Sequence, residues 1–520
     1  MYGHEKRLLK MKILRLCLLL FVIGLGFAVA CQAKKGADAD IREPVVAGKF
    51  YTDSAVKLKL AIEKFLDDAI PARVTKPVAI IVPHAGYIFS GQICADGFKQ
   101  VSGGQYDVVV ILGTNHTNPG FEKISLYPAG GFRTPLGTAL IDSDVVSSLR
   151  AEDPTDCVLD KSLHEREHSI EVIVPFVQVI FPRARIVPVI IGAPDVQMCM
   201  RFGQALAKVL KHKRALIVAS SDLSHYPEAK AANTVDKETL DAITKLDPGI
   251  LRSTIQSHTD RRIPQLSTSA CGEAPVMAAL AASNALGAVR GVVVSYANSG
   301  DSSIGDSSRV VGYGAVVLTA DETEIRAHKS DQSSLVPGEL QPTDKKTLLA
   351  FARETISRIF LTDTVPLARG FHPTIQQPRG VFVTLKKKGE LRGCIGRILG
   401  DEPLCKLVGA MAIQAALNDR RFSPLSPDEL NDIDIEISVL TPMKQISGTG
   451  DIVVGRDGVL LNKEGHSAVF LPQVATEQGW NRKEMLDNLC LKAGLHEGCW
   501  NKGARFSTFQ AIVFSEEEFK

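Results

Sequence analysis

The 520-residue chain has almost no net charge, no paired-cysteine motif, no internal repeat and no low-complexity tract. Each absence narrows the reading. Lys and Arg total 60 against 58 Asp and Glu, a balance that argues against a dedicated nucleic-acid surface, so no nucleic-acid partner is expected. Ten cysteines are present, yet none stands in a CxxC pair or at zinc-knuckle spacing. Cys94, Cys157, Cys199, Cys271, Cys394, Cys405, Cys490 and Cys499 are scattered singly, which reads as mostly reduced, buried thiols and not as a disulfide scaffold. The remaining composition, 45% hydrophobic and 23% charged, is that of a globular protein, and the length implies two or three domains.

The N-terminus differs from the rest. KILRLCLLLFVIGLGFAVAC, Lys12 to Cys31, runs from basic residues through an apolar stretch to small residues. This is the layout of a secretory signal over residues 1–31, with Met11 as an alternative start. The apolar run is short for a single-span anchor. AVAC resembles a lipoprotein cleavage box with Cys31 as the lipidated residue, although Ala28 replaces the commoner leucine. The expectation is an exported protein of the cell envelope or periplasm, touching the membrane only through this signal or lipid anchor. The reduced-cysteine pattern keeps a cytoplasmic location as the alternative.

A recurring strand–histidine unit organises the first half. VAIIVPHAGY (Val78–Tyr87) is an apolar, β-rich run delivering His84 at its end, and DVVVILGTNH (Asp107–His116) repeats the pattern with His116. ALIVASSDLSH (Ala215–His225) is a third, with Asp222 and His225 just past the run. GQICADGFKQV lies between the first two and suits a crossover helix, so those strands are expected to be parallel neighbours. Parallel strands place their C-terminal ends on one edge, where open α/β sheets build their sites. Three imidazoles converging there suggest metal binding. Further apolar runs at Arg185–Gly192 and Gly291–Asn298 extend an α/β domain over residues 42–320.

The motifs PHAGY, GTNH, EHSIE (Glu167–Glu171), SSDLSHY (Ser220–Tyr226) and ACG (Ala270–Gly272), in this order, resemble the Memo family. That family is similar in fold to class III extradiol dioxygenases, which are non-haem iron enzymes. The resemblance implies a mostly parallel central sheet flanked by helices, like the dioxygenase B subunit. It also implies His84, His116 and Cys271 as metal ligands, with Asp222, His225 and His168 lining the pocket as catalytic candidates. Cys271 stands where the dioxygenases use a carboxylate. A thiolate is softer and favours zinc or copper(I) while still permitting iron; the resemblance to the iron enzymes makes iron the implied ion, with copper or zinc as alternatives. The sequence before Pro275 suggests that Cys271 sits at a helix N-terminus, which favours the thiolate.

Residues 321–342 read as a polar linker, and 343–520 as a separate α+β domain. KKTLLAFARETISRIF is helical, VFVTLKKKGELRGCIG is strand–turn–strand, and NDIDIEISVLTP alternates with Ile433, Ile435, Ile437 and Val439 on one face. LRGCIG (Leu391–Gly396) and ALNDRRFSPLSPDEL (Ala416–Leu430) resemble the AMMECR family. The two families occur with a radical-SAM protein in the AmmeMemoRadiSam system, so the chain resembles its B and A proteins fused, and a radical-SAM partner is implied. Cys394 beside Arg392 is a candidate reactive thiol, since a nearby cation lowers thiol pKa. HEREH (His164–His168) matches the HExxH zinc-protease pattern, but the apolar run of its expected helix begins only after His168, and no third ligand follows at metzincin spacing. The reading is a non-haem metal-dependent oxidoreductase acting on an unidentified small molecule or peptide in the strand-end cleft. The alternatives are a non-catalytic metal- or peptide-binding module and a zinc hydrolase.

Overall fold

The computed structural model describes residues 41–128, 130–323 and 339–520. The signal-like segment, with Cys17 and Cys31, and most of the expected linker therefore lie outside the described residues. The chain forms two compact units, 41–299 with 308–323 and 300–307 with 339–520. Among the described residues no helix is long and apolar enough to cross a membrane.

The main sheet of the first unit has eight strands: β1 (Pro77–Val82), β2 (Val108–Thr114), β3 (Ile124–Leu126), β4 (Cys157–Leu159), β5 (Arg185–Ile191), β6 (Ala215–Ser220), β7 (Arg290–Asn298) and β8 (Gly312–Thr319). Their order is β7-β8-β1-β6-β2-β5-β3-β4. The centre, β1-β6-β2-β5, is parallel, while β7, β8 and the β5–β3 pairing are antiparallel. The expected α/β sheet is present. One detail differs: β1 and β2 are parallel but not neighbours, because β6 is inserted between them. Hydrophobic runs specify a buried strand, not its pairing partner, so the insertion was invisible in the sequence.

All seven residues of β2 are buried, as a strand covered on both faces requires. The cover comes from helices α1 (Tyr87–Lys99), α2 (Ala229–Thr244) and α4 (Glu273–Ala285), among others, and α3 (Pro248–Asp260) packs against α2 and α4. Adjacent residues of β8 show the two layers. A side chain at Gly314 would meet Leu240 of α2, whereas Ala315 faces Gly97 of α1. Helix α4 starts two residues before Pro275. Proline is tolerated there because first-turn N–H groups have no intrahelical acceptor.

The second unit begins with α5 (Pro342–Thr362) and contains β9 (Val381–Lys387), β10 (Glu390–Arg397), α6 (Leu404–Leu417), β11 (Ile433–Leu440) and β12 (Ala511–Ser515). The strands form an antiparallel sheet in the order β10-β9-β11-β12. Lys388 and Gly389, with φ of 53° and 82°, make the β9–β10 turn, a geometry that favours glycine. Ile433, Ile435, Ile437 and Val439 are buried against α5 and α6, as their alternation requires. A second four-stranded sheet (Lys444–Ile446, Gly458–Lys463, His466–Phe470, Arg505–Phe509) packs around its own core with helix Arg482–Lys492. Here the cysteine reading needs a correction. Cys490 and Cys499 form a disulfide, while Cys94, Cys157, Cys199, Cys271, Cys394 and Cys405 are free. Cys490 lies in the last turn of a helix and the chain folds back after it, so two cysteines nine residues apart meet.

Candidate metal centre

His84 follows β1 by two residues, His116 follows β2 by two, and Asp222 follows β6 by two. Because these strands are parallel, the three loops share one edge of the sheet. His84 is 1% exposed. Its Nδ1 lies 2.8 Å from Ser220 Oγ, and that hydroxyl donates its own proton to the Ser169 carbonyl at 2.6 Å. Ser220 must therefore accept from His84, which puts the imidazole proton on Nδ1 and leaves Nε2 with a free lone pair. Nε2 faces Cys271 Sγ at 3.2 Å and Asp222 Oδ2 at 3.9 Å.

His116 is oriented the same way by Glu167. Its Nδ1 donates to Glu167 Oε1 at 2.9 Å and its backbone N–H to Oε2 at 2.6 Å. The backbone N–H groups of His168 and Ser169 also donate to Oε1. A carboxylate behind an imidazole is the usual support for a metal-binding histidine. His168 stacks on His116 with ring centroids 4.7 Å apart, and His84 lies 5.3 Å and 5.5 Å from the two. Donor atoms of His84, His116 and His168 all fall within 4.8 Å of one another, and so do those of His84, Asp222 and Cys271. His84 is shared. His116 and Cys271 fall in different groups, so the implied trio His84–His116–Cys271 is not one of these tight sets.

The electrostatics keep His84 and His168 neutral. Burial, then the neighbouring His116, lowers His84 to about 3; burial and His84 lower His168 to about 4. Burial opposes charge on His116, but the Glu167 hydrogen bond and charge outweigh it and raise this histidine. Burial would raise Glu167, yet its bond to His116 and the charges around it hold the carboxyl at about 2. Burial raises Asp222 despite His225 nearby. Cys271 departs from expectation. Burial and then the Asp222 carboxylate push its thiol well above the ordinary value. The helix start at Glu273 therefore does not by itself produce a thiolate; a cation at His84 Nε2 would be needed to do so.

His225 donates Nδ1–H to the Leu223 carbonyl at 2.9 Å, which leaves Nε2 as the open atom. Tyr226 beside it has φ of 77°, strained for a non-glycine residue, with Arg309 stacked 4.1 Å over its ring. His164 is elsewhere. It lies in a four-residue helix, Ser162–Glu165, that ends before His168, and its Nε2 bonds Ser125 Oγ at 3.1 Å. HEREH thus never forms the helical face that HExxH needs, and His164 belongs to neither donor group.

In the second unit, Cys394 is half-buried on β10 and Thr384 Oγ1 lies 3.2 Å from its sulfur. Arg392 is engaged by Glu429 and by the Ser423 and Pro424 carbonyls. Arg421, clasped by Asp419, is the cation at Cys394. Arg392 is thus committed to Glu429, and the arginine that reaches Cys394 comes from the loop after α6.

Glu167, Ser220 and Glu171 are the roles the sequence reading missed. Glu171 of EHSIE is buried and accepts from Arg42, Tyr51 and the backbone of Val45 and Val46. This ties down the segment carrying Phe50, whose ring lies 4.9 Å from His168. Both glutamates were visible in the EHSIE motif, but nothing local distinguished a supporting carboxylate from a surface one.

A donor set of imidazoles, a thiol and a carboxylate, two of whose imidazoles have their second nitrogen already bonded, fits a transition-metal ion. Comparison with known proteins agrees with this family reading. A sequence profile described as Memo-like protein matches residues 42–317, and the AMMECR1 profile matches 349–514. A MEMO1 family protein of Methanosarcina acetivorans is 36% identical over 283 residues, 54% of this chain and 99% of that protein. One from Nitrosopumilus maritimus is 34% identical over 282 residues, 53% and 98% respectively. The crystal structure of the uncharacterized protein PH0010 from Pyrococcus horikoshii is 35% identical, covers 32% of this chain and 89% of its own, and superposes with a TM-score of 0.31. The chain belongs to the Memo family and carries an AMMECR1 domain after its Memo domain.

Proposed function

We propose that the first unit is a non-haem metal-dependent oxidoreductase whose ion, iron by preference, is held at the His84 edge. The observation that carries this reading is the pair of occupied nitrogens: Ser220 and Glu167 take Nδ1 of His84 and His116, which leaves Nε2 as the nitrogen each can offer an ion. His168, Asp222 and Cys271 supply the further donors within reach of these. When bound, such an ion would supply one-electron chemistry and open coordination positions. The protein's own share is acid–base and positional. His168 is held neutral at physiological pH, and His225 presents Nε2 while the Leu223 carbonyl accepts from Nδ1. Phe50 and the Glu171-anchored segment exclude water from the His168 side.

Export of the chain is part of the proposal, and the Cys490–Cys499 disulfide supports it, since such bonds persist in oxidising compartments. A radical-SAM partner for the AMMECR1 domain belongs to the same proposal. The test is elemental analysis of anaerobically purified protein. Stoichiometric iron in the wild type, lost in both His84→Ala and His116→Ala and kept in His164→Ala, is the expected result. Zinc in place of iron, lost in His164→Ala, would instead restore the hydrolase.

A further inference from the structure

A polar chain, buried at His258 and Ser269 and part-exposed at Glu238, stands apart from the centre, between α2 and α3. His258 is 1% exposed and lies near the end of α3. Its Nδ1 is 2.8 Å from Ser269 Oγ, and its Nε2 is 2.8 Å from Glu238 Oε2 on α2. Serine, histidine and carboxylate in this order have the layout of a hydrolase triad. Burial argues against that use, because Ser269 is only 2% exposed and its hydroxyl faces the histidine, not solvent. The chain has a different consequence, set by where Ser269 lies.

Ser269 is two residues before Cys271. Two residues after it, Glu273 opens α4, and Arg252 Nη1 reaches both Glu273 carboxylate oxygens at 2.9 and 3.0 Å. Arg252 and His258 are both on α3. One helix therefore grips the chain on either side of the cysteine. The opposite side is pinned to the β6 loop. His225 N–H donates to the Thr268 carbonyl, Cys271 N–H to the Asp222 carbonyl, and Gly272 N–H to Ser221 Oγ. Packing at this point is tight: a side chain at Gly272 would meet the Ser220 carbonyl oxygen at 2.4 Å. The sulfur 3.2 Å from His84 Nε2 is thus held from two directions, and only one of them belongs to the centre itself.

We propose that His258 and Arg252 are positioning residues that hold the Cys271 sulfur in ligand range of His84, so that helix α3 determines whether the centre includes a thiolate. The inference rests on the metal reading above. Without the clamp the histidines still bind an ion, but the sulfur leaves its shell. Supporting shells of this kind commonly fix both the geometry and the affinity of a metal site.

The full chain, loaded with cobalt(II), tests this. Cobalt bound to a thiolate gives a near-ultraviolet sulfur-to-metal charge-transfer band that imidazole ligation alone does not. Arg252→Met, at a partly exposed side chain, and His258→Leu should each retain one cobalt per chain and lose most of that band. His258→Asn, whose amide can replace Nδ1 at Ser269, should recover it. In metal-free protein the same two breaking variants should alkylate Cys271 at least about tenfold faster than the wild type, at a circular-dichroism spectrum unchanged from it. Arg214→Ala, which removes only exposed bonds to Asp107 and Gln105, should change neither readout. An unchanged band and unchanged alkylation in Arg252→Met overturn the proposal, whatever the folding of His258→Leu. A wild-type chain that binds no cobalt overturns the metal reading itself, a distinct failure seen before any variant is made.

Discussion

The Memo and AMMECR1 units handle their chemistry-bearing residues in opposite ways. In the first, parallel strands end on one edge, and the loops after β1, β2 and β6 bring buried His84 and Asp222 together with the more exposed His116. In the second, the antiparallel sheet spreads its polar residues along strand faces and edges, where they pair across strands, as Lys386 does with Glu436, or with loops, as Arg392 does with Glu429. Convergence in the first case follows from topology, since parallel strands share an end. Alternation in the second sends every other residue to the same face but gathers none at a point. Hence a site is readable from strand ends in one unit and not in the other.

Stability should show the contrast most strongly. Arg42–Glu171 is an ion pair with both side chains at most 2% exposed, whereas Arg397–Asp401 has both near half exposure. Removing one partner of a buried pair strands the other without water, so Glu171→Ala should cost about 3–5 kcal/mol. Asp401→Ala should change stability by no more than about 0.5 kcal/mol. Urea titrations of the two variants check this, and equal costs would break the comparison.

The pH response should differ in sign. Asp236 is buried, accepts from Ser224 and Tyr296, and burial raises it to about 6. Its folded pKa lies above the unfolded one, so the unfolded state gives up this proton first as pH rises. Its contribution to stability is thus full at pH below about 4 and is lost as pH rises toward 6, by up to about 1.4 kcal/mol per pH unit. Glu429 behaves oppositely. The Arg392 hydrogen bond, then the Ser426 backbone, hold it well below the usual carboxylate range. Its contribution is present above the unfolded carboxylate pKa and is lost as pH falls below it. Denaturation of Asp236→Asn and Glu429→Gln against the wild type at pH 4 and 7 should show difference curves of opposite slope.

A smaller effect is expected at Cys394. It is half-buried with a neutral hydroxyl neighbour, so Cys394→Ser should cost about 1 kcal/mol or less and leave metal content unchanged. A loss of metal in this variant would mean that the two units do not divide the chemistry as described.

These contrasts explain what could be read in advance. His84 and His116 were legible because an apolar run ending in histidine places that histidine at a strand end, whichever strands pair. The α+β character of the second unit was legible from the alternation of Ile433 to Val439. The insertion of β6 between β1 and β2 was not, because apolar strands carry no address for their partners. Nor were the roles of Ser220 and Glu167, since which nitrogen a hydroxyl or carboxylate occupies is decided by atoms far apart in sequence. Cys490 and Cys499 escaped notice for a related reason: nine residues of spacing do not reveal that a helix ends between them and turns back. Arg421 replaced Arg392 beside Cys394 because a loop from after α6 reaches β10, as the Cys394 N–H bond to Asp419 shows.

The central claim is that one ion is held at the parallel strand ends of the Memo unit by His84 and its neighbours. Anomalous diffraction at the metal's absorption edge, from crystals of anaerobically purified protein, tests it most directly. The account predicts a single peak within bonding distance of His84 Nε2 and His116 Nε2. A peak at His164, or one in the AMMECR1 unit with none at His84, would contradict it.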